Sequence, residues 1–139
     1  YDWDFGDNNT DIATNPINYY ATEGLYQVWL VATSGEGGCV DSIPKYAEVF
    51  SLPLPNAGLD TSVSQGFTVD LEGYYPGAIS YNWTPSETLN NNTISNPEAT
   101  PLVTTTYYLE VTDINGCINL DSVEITAIED FKLFTKSLE

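Results

Sequence analysis

Apolar and polar residues alternate along much of this chain. In "TTYYLEVTD" (105–113), Tyr107, Leu109 and Val111 fall on one side of a period-two pattern, and Tyr108, Glu110 and Thr112 on the other. The run "INLDSVEITAI" (118–128) continues the pattern with Val123, Ile125 and Ala127 on its apolar side. Asn115-Gly116 lies between the two runs and predicts a two-residue hairpin turn of type I′, which needs positive φ at both central positions. "GLYQVWLVAT" (24–33) reads the same way, with Tyr26, Val28 and Leu30 inward and Gln27, Trp29 and Val31 outward. "GLDTSVSQGFTVDLEGYY" (58–75) adds a short strand, a Gln-Gly turn and a strand with Phe67, Val69 and Leu71 inward. The expected fold is all-β.

The pattern occurs twice. A Trp strand ("YDWDFG", "SYNWTP") is followed by an Asn-Pro, a Tyr strand, a Gly-Cys turn with an Asp-Ser pair after it, and a final strand. Cys39 and Cys117 take the same place in the two copies, as do Trp3 and Trp83. The predicted organisation is the C-terminal part of a β-sandwich over 1–52, a complete sandwich over 53–128, and a tail or linker to a further domain over 129–139. The first copy starts at its Trp strand, so its opening strands are expected to be missing. "SLPLPNAG" (51–58), with its prolines, reads as a short, stiff linker. The expected core residues include Trp3, Phe5, Tyr26, Trp83 and Tyr107.

Composition supports strands: 13% of the residues are aromatic, and β-branched residues are frequent. The charge balance is extreme, with 20 acidic residues, three Lys or Arg, no His and a net charge of −17. It is spread over the chain as −7 in 1–52, −9 in 53–128 and −1 in the tail. Such a surface repels nucleic acid and anionic membranes, and cations or salt should stabilise it. No run of 18 apolar residues exists, so no membrane insertion is expected. No secretion signal opens the sequence, and an exported protein would carry one upstream.

"WDFGD" (3–7), the Asn-Pro at 15–16, a Tyr at 19 or 20 and "GLYQVWLVAT" together resemble a PKD domain, an immunoglobulin-like module. The second copy, from "PNAGLDTSVSQGFTVDL" to "DSVEIT", is similar to the related repeats of large secreted Bacteroidetes surface proteins. The resemblance covers the chain to about residue 128. It implies tandem antiparallel β-sandwiches in an extracellular adhesin of the gliding-motility type, exported across the bacterial outer membrane by type IX secretion. In such repeats the Cys of the Gly-Cys turn usually pairs with a Cys near the end of the first strand. That position here is Ser64, so Cys117 lacks its implied partner. Cys39 would look upstream for its own, and no Cys39–Cys117 bridge is expected.

Three function classes follow. The first is a structural stalk that contacts neighbouring modules of the same long chain, with a strand donated by another chain as a rarer device for completing the first copy. The second is a carbohydrate-binding accessory module of a secreted hydrolase. Here Trp29, outward by alternation, would contact polysaccharide or another surface ligand, with Tyr20, Tyr75 and Tyr108 as weaker candidates. The third is a Ca²⁺-dependent adhesion module, because Asp2, Asp4, Asp7 and Asp11 crowd hard oxygen ligands into ten residues. No other cofactor is implied. Without His there is no His-based triad or His metal site, and nucleophile motifs and phosphate loops are absent, so the chain is not expected to be an enzyme.

Overall fold

The computed structural model describes residues 1–129. The tail predicted over 129–139 therefore lies, beyond Glu129, outside the described residues. The strands are β1 (Asp2–Asp4), β2 (Thr10–Asp11), β3 (Gly24–Thr33), β4 (Val40–Val49), β5 (Thr61–Ser64), β6 (Val69–Asp70), β7 (Ala78–Thr84), β8 (Glu98–Ala99), β9 (Thr105–Asp113) and β10 (Ile118–Ile128). The described residues contain no helix, and the fold is all-β. The chain divides into two compact units, Tyr1–Ser51 and a second that begins at Leu52.

The second unit packs the four-stranded sheet β5-β10-β9-β7 against the two-stranded sheet β6-β8. Period-two alternation puts Tyr107, Leu109, Val111, Val123 and Ile125 on one face, where all are at most 2% exposed. Trp83, Leu71, Ala57 and Ala99 close the same core. Every pairing is antiparallel except β5 with β10, where Thr61–Ser64 runs parallel to Ile125–Ile128.

The first unit is one antiparallel sheet in the order β2-β1-β3-β4. Its inner face carries Trp3, Leu30 and Ile43 in register across three strands. Phe5, 7% exposed, is its one buried large apolar side chain among the described residues. Tyr20 stacks on Tyr26 with ring centroids 4.2 Å apart. Trp3 and Tyr26 are half-buried, whereas Trp83 and Tyr107 are wholly enclosed.

The units share local devices. Trp3 Nε1 donates to the carbonyl of Ala13 at 3.1 Å, and Trp83 Nε1 to that of Ile94 at 3.1 Å. At the hairpins, the Cys39 amide donates to Ser34 Oγ and the Cys117 amide to Asp113 Oδ1. Asp41 Oδ1 takes the amide of Ser42, and Asn119 Oδ1 that of Leu120. The shared Asp-Ser pairs are thus displaced by two residues. Asp41 stands where Asn119 does, while Asp121 stands opposite Leu109 at the place of Ile43.

The structure corrects four readings. The 113–117 hairpin is not type I′, because only Gly116 has positive φ (80°) and Asn115 does not. Asp113 Oδ1 accepts the amides of Asn115 and Cys117, and the Gly116 amide closes on the Asp113 carbonyl at 3.0 Å. This makes a three-residue loop with a left-handed glycine. Phe67 is 62% exposed rather than inward, because its amide is held by the Ser64 carbonyl in the turn before β6 begins. Residues 53–57 are not free linker. Pro53 and Ala57 are buried, Asn119 Nδ2 donates to the Pro53 carbonyl at 2.8 Å, and Asp121 Oδ2 accepts the Ala57 amide at 2.8 Å. Ser64 could not bridge to Cys117 even as a cysteine. It lies opposite Ile128, so the whole of β10 separates it from Cys117. That is roughly 35 Å of strand against a limit of about 7 Å between bridged Cα atoms. Cys39 and Cys117 are both free thiols.

Candidate functional site

The site is built on the outer face of the first sheet, opposite Trp3 and Phe5. Alternation along β3 turns Leu25, Gln27, Trp29 and Val31 to this face. Register then sets Trp29 against Pro44 on β4 and Asp4 on β1, Gln27 against Tyr46, and Leu25 against Glu48. Tyr46 is diagonal to Trp29 on the neighbouring strand, within the reach of large side chains. Trp29 is 38% exposed, Tyr46 66% and Leu25 65%. Gln27 Nε2 donates to the Tyr46 hydroxyl at 3.3 Å, which fixes one side of the pair. Asp4 Oδ1 accepts the Gly6 amide at 2.9 Å, so this carboxylate is anchored beside Trp29.

The fold does not require Tyr46. In the second unit the places of Trp29, Pro44 and Tyr46 are held by Tyr108, Ser122 and Glu124. That sheet is at least as well formed with a hydroxyl and a carboxylate there. Alternation along 24–33 turns Gln27 outward, and the same alternation carried along 40–49 places Tyr46 outward beside it.

The acidic cluster at 2–11 does not converge. Asp2 and Asp4 lie on the outer face, whereas Asp11 pairs with Trp3 and so belongs to the inner one. Asp11 accepts the Ala13 amide at 2.7 Å. Asp7 takes the amide of Asn9 and the side chains of Asn9 and Asn18. The Asn18 side chain first, then these bonds from Asn9, hold its carboxyl below the usual aspartate value. Each carboxylate but Asp2 caps local backbone, and among the described residues no three His, Cys, Asp or Glu side chains form a metal-holding group. Of the weaker aromatic candidates, Tyr108 is 50% exposed on its outer face. Tyr20 is engaged with Tyr26 and the Phe5 carbonyl, and Tyr75 packs on the core of the second unit.

The Trp strand and its turn, with Gly6 in the left-handed region and Asn9 closing on Phe5, belong to a stretch that also matches a known family. Residues 1–49 match the PKD domain family. Among solved structures, the chain is similar to the solution structure of the PKD domain from KIAA 1837 protein, at 22% identity and a TM-score of 0.50. That match covers 62% of this chain and 96% of the PKD structure, and it bears on fold alone. No curated protein matches the chain. Among the described residues, no helix is long and apolar enough to cross a membrane.

Proposed function

We propose that this chain is a non-catalytic spacer and adhesion segment of a large exported surface protein, in which PKD-like sandwiches follow one another along the polypeptide. The observation that carries the reading is the parallel pairing of β5, the first strand of the second unit, with β10, its last. Parallel first and last strands place the entry and exit of the chain at opposite poles of the unit, which suits a string of modules. The acidic surface supports the same role, since like charges keep neighbouring segments apart and soluble. Contacts with neighbouring modules, a bacterial cell-surface location and type IX export belong to this proposal.

Stretching the full chain between two marker domains by force microscopy tests it. Pulling from opposite poles shears the β5–β10 hydrogen bonds together, so a discrete high-force unfolding event is expected. Extension without a resolvable event would remove the spacer reading.

A further inference from the structure

The aromatic outer face of the first unit has no part in the spacer role and does not depend on it. Five side chains share that face: Trp29 and Tyr46 as neighbouring exposed aromatics, Gln27 hydrogen-bonded to the Tyr46 hydroxyl, Asp4 opposite Trp29 on β1, and Glu48 opposite Leu25 on β4. We propose that this face binds a neutral polysaccharide, with sugar rings stacked on Trp29 and Tyr46 and hydroxyls bonded by Gln27, Asp4 and Glu48.

Three observations select this occupant. Tyr46 serves no need of the sheet, because the sister sheet places Glu124 at its position, whereas Trp29 keeps an aromatic counterpart in Tyr108. The polar groups around them are an amide, a phenol and carboxylates, which together accept from and donate to hydroxyl groups at short range. The charge excludes polyanionic occupants. Asp2, Asp4 and Glu48 share the face, Lys45 is the one Lys among the described residues, and β4 alternation turns it to the opposite face. A sulfated or uronic-acid glycan, a nucleic acid or an anionic lipid surface would meet only like charge there. A neutral chain of sugars meets apolar faces and hydroxyl partners. An open sheet surface also fits an extended polymer better than a single small sugar.

The test is affinity electrophoresis of the full chain in gels containing hydroxyethyl cellulose, xyloglucan or galactomannan, with alginate and pectate as polyanionic controls. At least one neutral polymer should retard the protein and neither polyanion should. Trp29→Ala should weaken the retardation at least tenfold and Tyr46→Ala severalfold. Tyr108→Ala, at the matching position of the second unit, should leave it within twofold. In the unmutated chain, titration with the bound polymer should shift the Trp29 indole N–H resonance and leave that of Trp83 in place, a readout that does not depend on how the variants fold. The proposal is overturned if no neutral polymer retards the chain, if the polyanions bind as well, if Trp29→Ala binds undiminished, or if the Trp29 resonance does not move. Retardation that Tyr108→Ala abolishes instead would assign the binding to the other sheet and equally overturn it.

Discussion

Gly73 lies so close under the indole of Trp83 that a Cβ on it would stand 2.7 Å from Cζ2 and 2.5 Å from the Ser95 carbonyl oxygen. The indole has no room to retreat, since it is fully buried and its Nε1 is bonded to the Ile94 carbonyl. Gly73→Ala should therefore destabilise the second unit by about 2–3 kcal/mol, the ordinary cost of overpacking a core. Gly35→Ala, where an added Cβ meets nothing within 4 Å, should cost less than about 0.5 kcal/mol. Urea unfolding followed by Trp fluorescence measures both. Equal stability of the two variants would show that the core yields at Gly73.

Two residues from one predicted strand should part company. Leu71 is 1% exposed and Phe67 is 62% exposed. Leu71→Ala should cost about 2–5 kcal/mol, as buried Leu truncations do. Phe67→Ala should lie within about 0.5 kcal/mol of the parent, despite removing the larger side chain. A Phe67 variant as damaging as the Leu71 one would place the ring in the core after all.

The segment before β5 is anchored by two side chains of β10. Asp121→Ala removes the acceptor of the Ala57 amide and leaves a buried donor unpaired, at about 1–3 kcal/mol. Hydrogen exchange offers the sharper reading: the Ala57 amide should lose protection in Asp121→Ala while the Val123 and Ile125 amides keep theirs. An Ala57 amide that stays protected would mean the segment is held by packing alone.

Asp7 gives the first unit an acid-side dependence. Its carboxyl is held below the ordinary aspartate value, chiefly by the Asn18 side chain, so the folded state favours its ionised form. The stabilisation is complete above the ordinary aspartate range, about pH 4, and is lost as pH falls through the lower folded value. In Asn18→Ala the Asp7 titration, followed by NMR at its carboxyl carbon, should move up toward the ordinary value. A midpoint unchanged by that substitution would assign the shift to the Asn9 contacts instead.

Much of this architecture could be read from alternation. The faces of β3, β9 and β10, the burial of Trp83 and Tyr107 and the outward position of Trp29 follow from a period of two, because strand geometry leaves a side chain no third direction. The misreadings have one cause: local hydrogen bonds that capture backbone groups outside the strand ladders. Asp113 captured two amides and replaced the turn that Asn-Gly favours, and the Ser64 carbonyl held Phe67 in a turn where alternation had not yet begun. Proline content suggested a short, stiff linker over 51–58, but Asn119 and Asp121 pin residues 53–57 of it from the far end of the sequence. At the candidate site the single Trp was visible, whereas its pairing with Tyr46 depended on the β3–β4 register. The carboxylates at 2–11 looked like one cluster in sequence because strand pairing, which sends Asp11 to the other face, has no local mark.

Among the described residues β4 is an edge strand, and this has a consequence for chains built from many such modules. Glu124, on the matching strand of the second unit, sends its amide outward to Asp60. Tyr46, Pro44 and Ser42 hold the corresponding alternate positions on β4. Two of these three donors are silenced: proline has no N–H, and the Ser42 amide is already taken by Asp41. A foreign strand approaching there finds no free donor at Ser42 or Pro44, so a ladder is interrupted across those two positions. Sister modules on one polypeptide meet at a high effective concentration that dilution cannot lower. For them, Asp41 and Pro44 act as insulation against zipping up with the wrong neighbour.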